Sequence, residues 1–300
     1  MSQRNHICVC ICTYKRPELL KRLLAKLEEQ ETEGLFDYSI VIVDNDRSES
    51  AQQTTQSYAR QSKISINYYV EPEQNIALAR NKAIKNAKGA FISFIDDDEF
   101  PANTWLINLY KVLEAADADG VLGPVRPYFE TQPPGWITRG KLLERTSFET
   151  GTAVKPEDAR TGNVMLARRV FGCKASPFDP RFGRTGGEDT VFFRKMIDRG
   201  YRFVWCKEAC VYETIPPERY KRIYFLKRAL LRGVGEAKLP KSSKKGIIKS
   251  LVACLLYTPA LSFLFVTRHH LFMEYLIKDC DHIGKLLALC GIEIIRERDF

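Results

Sequence analysis

Histidine is scarce in this 300-residue chain, with four residues at positions 6, 269, 270 and 282, all away from the acidic motifs that carry its chemistry. That argues against a histidine-ligated hydrolase. The nine cysteines are odd in number and include no Cys-x-x-Cys pair, so they outline neither a zinc site nor a disulfide framework. Cys8, Cys10 and Cys12 alternate along one apolar run and read as buried packing. No charged-then-apolar stretch precedes that run, so no signal peptide is expected and the expected compartment is cytosolic and reducing. An RNA-binding or helix-turn-helix signature is also missing, and no nucleic-acid partner is expected.

What is present is acid at the end of an apolar run. Asp96-Asp97-Asp98-Glu99 directly follows Phe91-Ile92-Ser93-Phe94-Ile95 and precedes Phe100-Pro101. A short apolar run reads as a buried strand, and buried strands of open α/β sheets deliver their C-terminal ends to a ligand crevice. Stacked carboxylates there suit Mg²⁺ or Mn²⁺, which bind through one or two carboxylates plus substrate phosphates. A solvated turn that caps a helix starting near Pro101 is the alternative. Upstream, Ile7–Cys12 is apolar on both faces, as a central parallel strand would be. Leucines at 19, 20, 23, 24 and 27 then mark one face of a helix after Pro17. Ile40–Val43 ends in Asp44-Asn45-Asp46, and a strand near 66–70 and a helix near 76–87 complete a βαβαβ alternation. A doubly wound α/β sheet follows, with strand ends at Thr13, Asp44 and Asp96 lining one crevice. At 45% hydrophobic residues, the chain suffices for one larger domain and an extension.

Five segments in order, Cys12–Pro17, Val41–Asp46, Asn75–Asn81, Ile95–Glu99 and Gly187–Phe193 with Gly200-Tyr201 and Val204-Trp205 behind it, resemble the family 2 glycosyltransferases of the GT-A fold. The resemblance covers about residues 5 to 215. It implies a catalytic domain over 1–216, with a nucleotide-sugar half to about 99 and an acceptor half after it, followed by a helical extension over 217–300. It also implies inverting transfer of a sugar from a nucleoside diphosphate donor to an acceptor hydroxyl in polysaccharide or lipid-linked glycan synthesis. By the family pattern Asp96 faces the donor's ribose or sugar and Asp98 holds the metal, with Asp97 ambiguous between them. Thr13, Tyr14, Arg16, Asn45 and Arg80 fall in the donor-binding segments. Asp44 stands where a carboxylate accepts the N3 proton of uracil, which favours a UDP-sugar. An Asx-turn at Asp44 and a solvated Arg80 are the bland alternatives.

The acceptor hydroxyl must lose a proton opposite the leaving group, which calls for a carboxylate base. Asp189 is assigned that role, with Glu188 as runner-up and possible acceptor ligand; either acid would also favour the start of a helix after Gly186-Gly187. Weaker acceptor-side candidates are Trp136 in a Pro-Pro-Gly-Trp loop, Asn163, Glu213, Arg228 and Arg232. Trp136 reads equally as loop packing, and the two arginines as a grip on a polyprenyl diphosphate carrier. Glu213 sits where relatives place a metal or donor contact, often histidine.

Charge is concentrated. Arg219–Lys249 holds eleven Lys or Arg against Glu236 alone, and the rest of the chain is close to neutral. The uncharged run Leu251–Val266, broken by Pro259, follows. A sixteen-residue helix spans about 24 Å, short of a roughly 30 Å hydrocarbon core, so an interfacial or re-entrant anchor on an anionic leaflet is expected over a full span. A buried helix or an oligomer interface is the alternative. Two other functions compete. A sugar nucleotidylyltransferase lacks its glycine-rich loop between Ile11 and Pro17, and a silent membrane adaptor would have no need of Asp96, Asp98 and Asp189.

Overall fold

The structure is a computed structural model that describes residues 5–172, 176–237 and 244–292. Cys173, Lys238 and Lys241 lie outside the described residues. Two compact units are present, one formed by Met1–Tyr128 with Arg145–Thr214 and the other by Phe129–Glu144 with Ile215–Phe300.

The first unit opens with the expected alternation of β1 (Asn5–Thr13), α1 (Pro17–Glu28), β2 (Phe36–Asp44), α2 (Gln52–Ala59), β3 (Ser65–Val70), α3 (Ile76–Asn86) and β4 (Phe91–Ile95). Next come β5 (Glu99–Pro101), α4 (Trp105–Ala116), β6 (Gly120–Leu122) and β7 (Val125–Tyr128). The short α5 (Gly135–Arg139) belongs to the second unit, and β8 (Asn163–Ala167), α6 (Glu188–Ile197), β9 (Phe203–Trp205) and β10 (Val211–Thr214) complete the first. Seven strands form a mixed sheet in the order β3-β2-β1-β4-β8-β6-β9. Only β8 runs antiparallel to its neighbours. Because β1 is flanked by β2 and β4 and covered on both faces, Ile7 to Ile11 are wholly buried, which is why that run shows no polar alternation. Pro17 opens α1, and Leu20, Leu23, Leu24 and Leu27 bury its inner face, each contributing roughly 2 kcal/mol.

One expectation changes at the acids. Residues 99–101 form β5, an edge strand of a second, three-stranded sheet ordered β5-β10-β7, and the next helix begins only at Trp105. Proline lacks a backbone donor, and an edge strand is where a sheet tolerates that. The helix-capping alternative for Asp98 and Glu99 is thereby set aside.

The second unit packs α5 with α7 (Arg222–Ala237), α8 (Lys244–Thr267) and α9 (His269–Leu289). Helices α7 and α9 meet through glycines: a Cβ on Gly233 would lie 2.1 Å from the Asp281 carbonyl oxygen, and one on Gly284 2.4 Å from that of Leu230. Such an approach is open only to residues without a side chain. Helix α8 runs through Pro259 and, at 24 residues, is about 36 Å long, so the helix exceeds its uncharged core.

Candidate active site

The site grows from strand ends. Thr13 at the end of β1 is the register partner of Asp44 at the end of β2, and Asp96 directly follows β4. The loops beyond these strands are stitched together by asparagines. The Asn45 backbone N–H donates to the Thr13 carbonyl (2.8 Å), and its side-chain amide donates to the carbonyls of Glu71 and Glu73. In return the Asn45 side-chain Oδ1 accepts the Asn75 backbone N–H at 2.8 Å. Asn75 caps α3 by accepting from the N–H groups of Ala77 and Leu78, and donates to Pro180. Gly183 is required beside it, since a Cβ there would lie 1.7 Å from the Asn75 oxygen.

The four acids divide by environment. Asp97 is buried, accepting from the Thr13 hydroxyl at 2.8 Å and from Arg16 at 3.1 Å. It ties the β1 turn to the acidic loop. Glu99 is also buried, with one oxygen accepting the Asp96 N–H and Oε1 without a hydrogen-bond partner. A Cβ on Gly162 would stand 2.8 Å from that Oε1, so only glycine fits over it. Asp98 pairs with Arg16 at 3.0 Å. Asp96 is the open one, its side chain 43% exposed and 3.6 Å from Arg80.

Crowding shows in the protonation equilibria. Burial, then the charges of Asp97, Glu213 and Asp96, push the Asp98 carboxyl up to about 7. Burial and the Asp96 charge raise Glu99 well above the usual carboxylate range, and burial raises Asp97. Glu213 joins the acidic run through the antiparallel pairing of β10 with β5, in which it faces Glu99.

Arg80 is 7% exposed, so the solvated alternative fails. It forms an ion pair with Glu188 and approaches Asp96, bridging α3, the acidic loop and α6. Gly186 and Gly187, both at positive φ, turn the chain into α6, where Glu188 is buried against Arg80 while Asp189, its neighbour in the first turn, stays half-buried. Tyr14 is half-buried, with the Lys15 ammonium 5.1 Å from its ring centroid.

The remaining candidates have partners within their own units. Asp44 is 0% exposed, and its carboxylate accepts from the N–H groups of Asp46 and Ala51 and from the Tyr68 hydroxyl. The turn-forming role left open by the sequence is the one observed. Asn163 is buried and used within the fold, accepting from the Trp105 indole and donating to the carbonyls of Pro124 and Ala209. In the second unit Trp136 packs edge-to-face on Phe225, 5.4 Å between centroids, which is the packing alternative. Arg232 is held by the Asp281 carboxylate, and Arg228 contacts the Tyr224 hydroxyl at 3.3 Å. These contacts tie both arginines into the packing of the second unit. The missed residue is Arg145, which is paired with Glu213. No local pattern marks it, because a lone arginine in a loop acquires meaning only from what the fold sets beside it.

Residues 8–170 match the model of the family described as glycosyl transferase family 2. The chain is also 32% identical over 247 residues to the succinoglycan biosynthesis protein ExoM of Rhizobium meliloti, covering 81% of this chain and 77% of that protein. The chain belongs to glycosyl transferase family 2. This family 2 enzyme is further 25% identical over 249 residues to the hyaluronan synthase of Pasteurella multocida, covering 72% of this chain but only 25% of that longer protein. Its fold, GT-A with a C-terminal helical extension, is shared with a Pyrobaculum calidifontis mannosyltransferase solved with GDP-Man and Mn²⁺. That likeness has a TM-score of 0.62 at 17% identity and covers 95% of this chain and 88% of the other. Residues 1–349 of S. aureus TarS, solved with UDP, match with a TM-score of 0.54 at 16% identity over 97% of this chain and 93% of that one. A glycosyltransferase is an enzyme, so the silent adaptor and the nucleotidylyltransferase are both set aside.

Among the described residues no group of three or more His, Cys, Asp or Glu is arranged as a ready-made metal cage. The donor set nevertheless fits a divalent cation that completes its shell with substrate phosphates: hard carboxylate oxygens from Asp98, with Asp96 and Glu213 close enough to raise its pKa.

Proposed function

We propose that this protein is an inverting glycosyltransferase that moves a sugar from a nucleoside diphosphate donor, a UDP-sugar, to an acceptor hydroxyl in polysaccharide or lipid-linked glycan synthesis. One observation carries the reading. Arg80 ties buried Glu188 to the Asp96 loop, which leaves Asp189 as the half-exposed carboxylate at the start of α6. In this reading Asp189 accepts the proton of the attacking hydroxyl, and Glu188 is a positioning residue. Thr13, Tyr14, Arg16 and Asn45 line the donor side, with Asp97 as the clamp that orders them. Asp96 meets the donor sugar or ribose. Asp98 would hold Mn²⁺ or Mg²⁺, with Glu213 beside it. When bound, the cation supplies Lewis-acid stabilisation of the charge that develops on the leaving diphosphate. The UDP preference is supported by the TarS structures with UDP and UDP-GlcNAc, while the mannosyltransferase complex with GDP-Man makes the nucleotide a matter for measurement.

The acceptor is a glycan or a polyprenyl-diphosphate-linked glycan, met at the cytoplasmic face of an anionic membrane; the basic 219–249 segment and apolar α8 support that location. Calorimetric titration with UDP, GDP and CDP, with Mn²⁺ and with EDTA, tests the donor reading. Metal-dependent binding of UDP alone is expected. Binding of none of the three would overturn it.

A further inference from the structure

Helix α8 carries an exposed apolar stripe. Ile248, Val252, Leu255, Pro259, Phe263 and Val266 recur every three or four residues and are all exposed, Leu255 by 74% and Val266 by 82%. Its other face is committed: Ser250 bonds to His282, Thr258 donates to Asp279, and the rings of Tyr257 and Tyr275 lie 5.3 Å apart. Building on the membrane location just proposed, we infer that α8 lies in the plane of an anionic leaflet, sunk only to this stripe, with α9 on its aqueous side.

Two alternatives fail on physical grounds. Gly246–Thr267 is long and apolar enough to cross a bilayer. But α9 follows after Arg268 alone and runs back along α8, and α9 is locked to α7 at Gly284. A crossing α8 would drag Glu274, Lys278, Asp281 and Lys285 into hydrocarbon, where charges are expelled. A second copy is disfavoured by charge. No Asp or Glu lies between Glu236 and Glu274, and Lys249 and Arg268 mark the two ends, so either mutual orientation of two α8 stripes sets cation against cation. Anionic headgroups match both ends, and the stripe matches the acyl boundary.

The test uses the full chain with Ile248→Trp, Leu255→Trp or Val266→Trp and vesicles of phosphatidylcholine with or without phosphatidylglycerol. Expected results are at least tenfold stronger flotation with the anionic vesicles, and extra quenching by brominated lipid at one shallow depth for all three positions. A depth gradient that is deepest at 255 would overturn the in-plane placement in favour of a span. Concentration-dependent dimers without vesicle binding would overturn it in favour of a second copy. The same flotation by Asp189→Asn separates this inference from the transfer reaction, which is measured independently.

A second inference rests on a different observation. Arg145 pairs with Glu213 at the edge of the acid cluster. Burial works against its charge, yet Glu213, Glu99, Asp96 and Asp98 together raise its pKa. The geometry points to Arg145 as the counter-charge that holds Glu213, beside Arg16 on Asp98, and that must yield Glu213 when a divalent cation enters; this rests on the cation site proposed at Asp98. Mn²⁺ binding without nucleotide, read by the loss of the free-ion electron paramagnetic resonance signal, tests it on protein shown to be folded by circular dichroism. Arg145→Met is expected to bind Mn²⁺ at least fivefold more tightly, and Arg145→Lys to stay near the parent. Equal or weaker affinity in Arg145→Met would overturn the counter-charge role alone, whereas no Mn²⁺ binding by any of the three proteins would overturn the cation site with it.

Discussion

Arg80 and Arg232 each face a carboxylate, but in opposite surroundings. Arg80 and Glu188 are buried in the first unit, with side chains 8% and 5% exposed, whereas Arg232 and Asp281 in the second are 53% and 31% exposed. The apolar residues are reversed: those of the central sheet are covered, and those of α8 stand outward. Burying charge is costly and is repaid only when partners are placed well, so buried pairs mark where geometry is held for a purpose. Exposed pairs are cheap and mark little beyond solubility and packing. Exposed apolar surface of this extent marks contact with something else. The first unit is organised around a polar site and the second around an apolar face.

The comparison can be broken at its strongest point by Asp189→Asn. The expected outcome is a loss of transfer on the order of 10³-fold, with UDP affinity within about twofold of the parent. Parallel loss of both, measured by turnover and calorimetry, would remove Asp189 from the base role.

Next in size is the contrast between the two arginines. Arg80→Met removes the buried cation that faces Glu188 and is expected to lower unfolding free energy by about 3–5 kcal/mol, against less than about 1 kcal/mol for Arg232→Met. Urea titration of both variants checks it. Similar losses would mean that burial does not separate the two pairs as argued.

A pH dependence sharpens the picture of the acid cluster. The folded-state pKa of Asp98 is about 7, above the unfolded value of 3.8, so the native state binds the extra proton between those values. Stability of the metal-free protein should therefore fall as pH rises from about 4 to about 7, by at most roughly 1.4 kcal/mol per unit for this group. Mn²⁺ competes with that proton, so its affinity should rise over pH 6 to 8. Thermal melts with and without Mn²⁺ read both trends, and a flat profile would contradict the crowding.

The smallest expected effect is at Trp136. Because it packs on Phe225, Trp136→Ala should cost about 1–3 kcal/mol of stability while leaving the acceptor KM unchanged. A tenfold rise in that KM with normal stability would instead place Trp136 in acceptor binding.

Much of the first unit was legible because its signals are local. Ile7–Cys12 announces a doubly covered strand by lacking polar alternation, the leucines after Pro17 trace one helical face, and Gly186-Gly187 marks the turn into α6. Asn75 was legible in principle, as a capping residue directly before a helix. The roles inside the acidic run were not. Asp96 to Glu99 are adjacent in the chain, yet one is open, one is clamped by Thr13 and Arg16, and one is buried beneath Gly162, because each meets a different distant segment. Asp44 and Asn163 were not legible for a related reason: a polar residue at a strand end serves a ligand or the fold equally well until its partners are known.

The amino-acid order alone determined the strand and helix alternation, the acids at the strand ends, the family and the concentration of positive charge after 218, since periodicity, motif order and composition are properties of neighbours in sequence. Tertiary structure decided which acid faces outward, that Arg80 belongs to Glu188 and Arg145 to Glu213, and that α8 shows an uncovered stripe. Burial and ion pairing depend on what is close in space, and residues 108 positions apart, like Arg80 and Glu188, carry no sequence signal of their meeting.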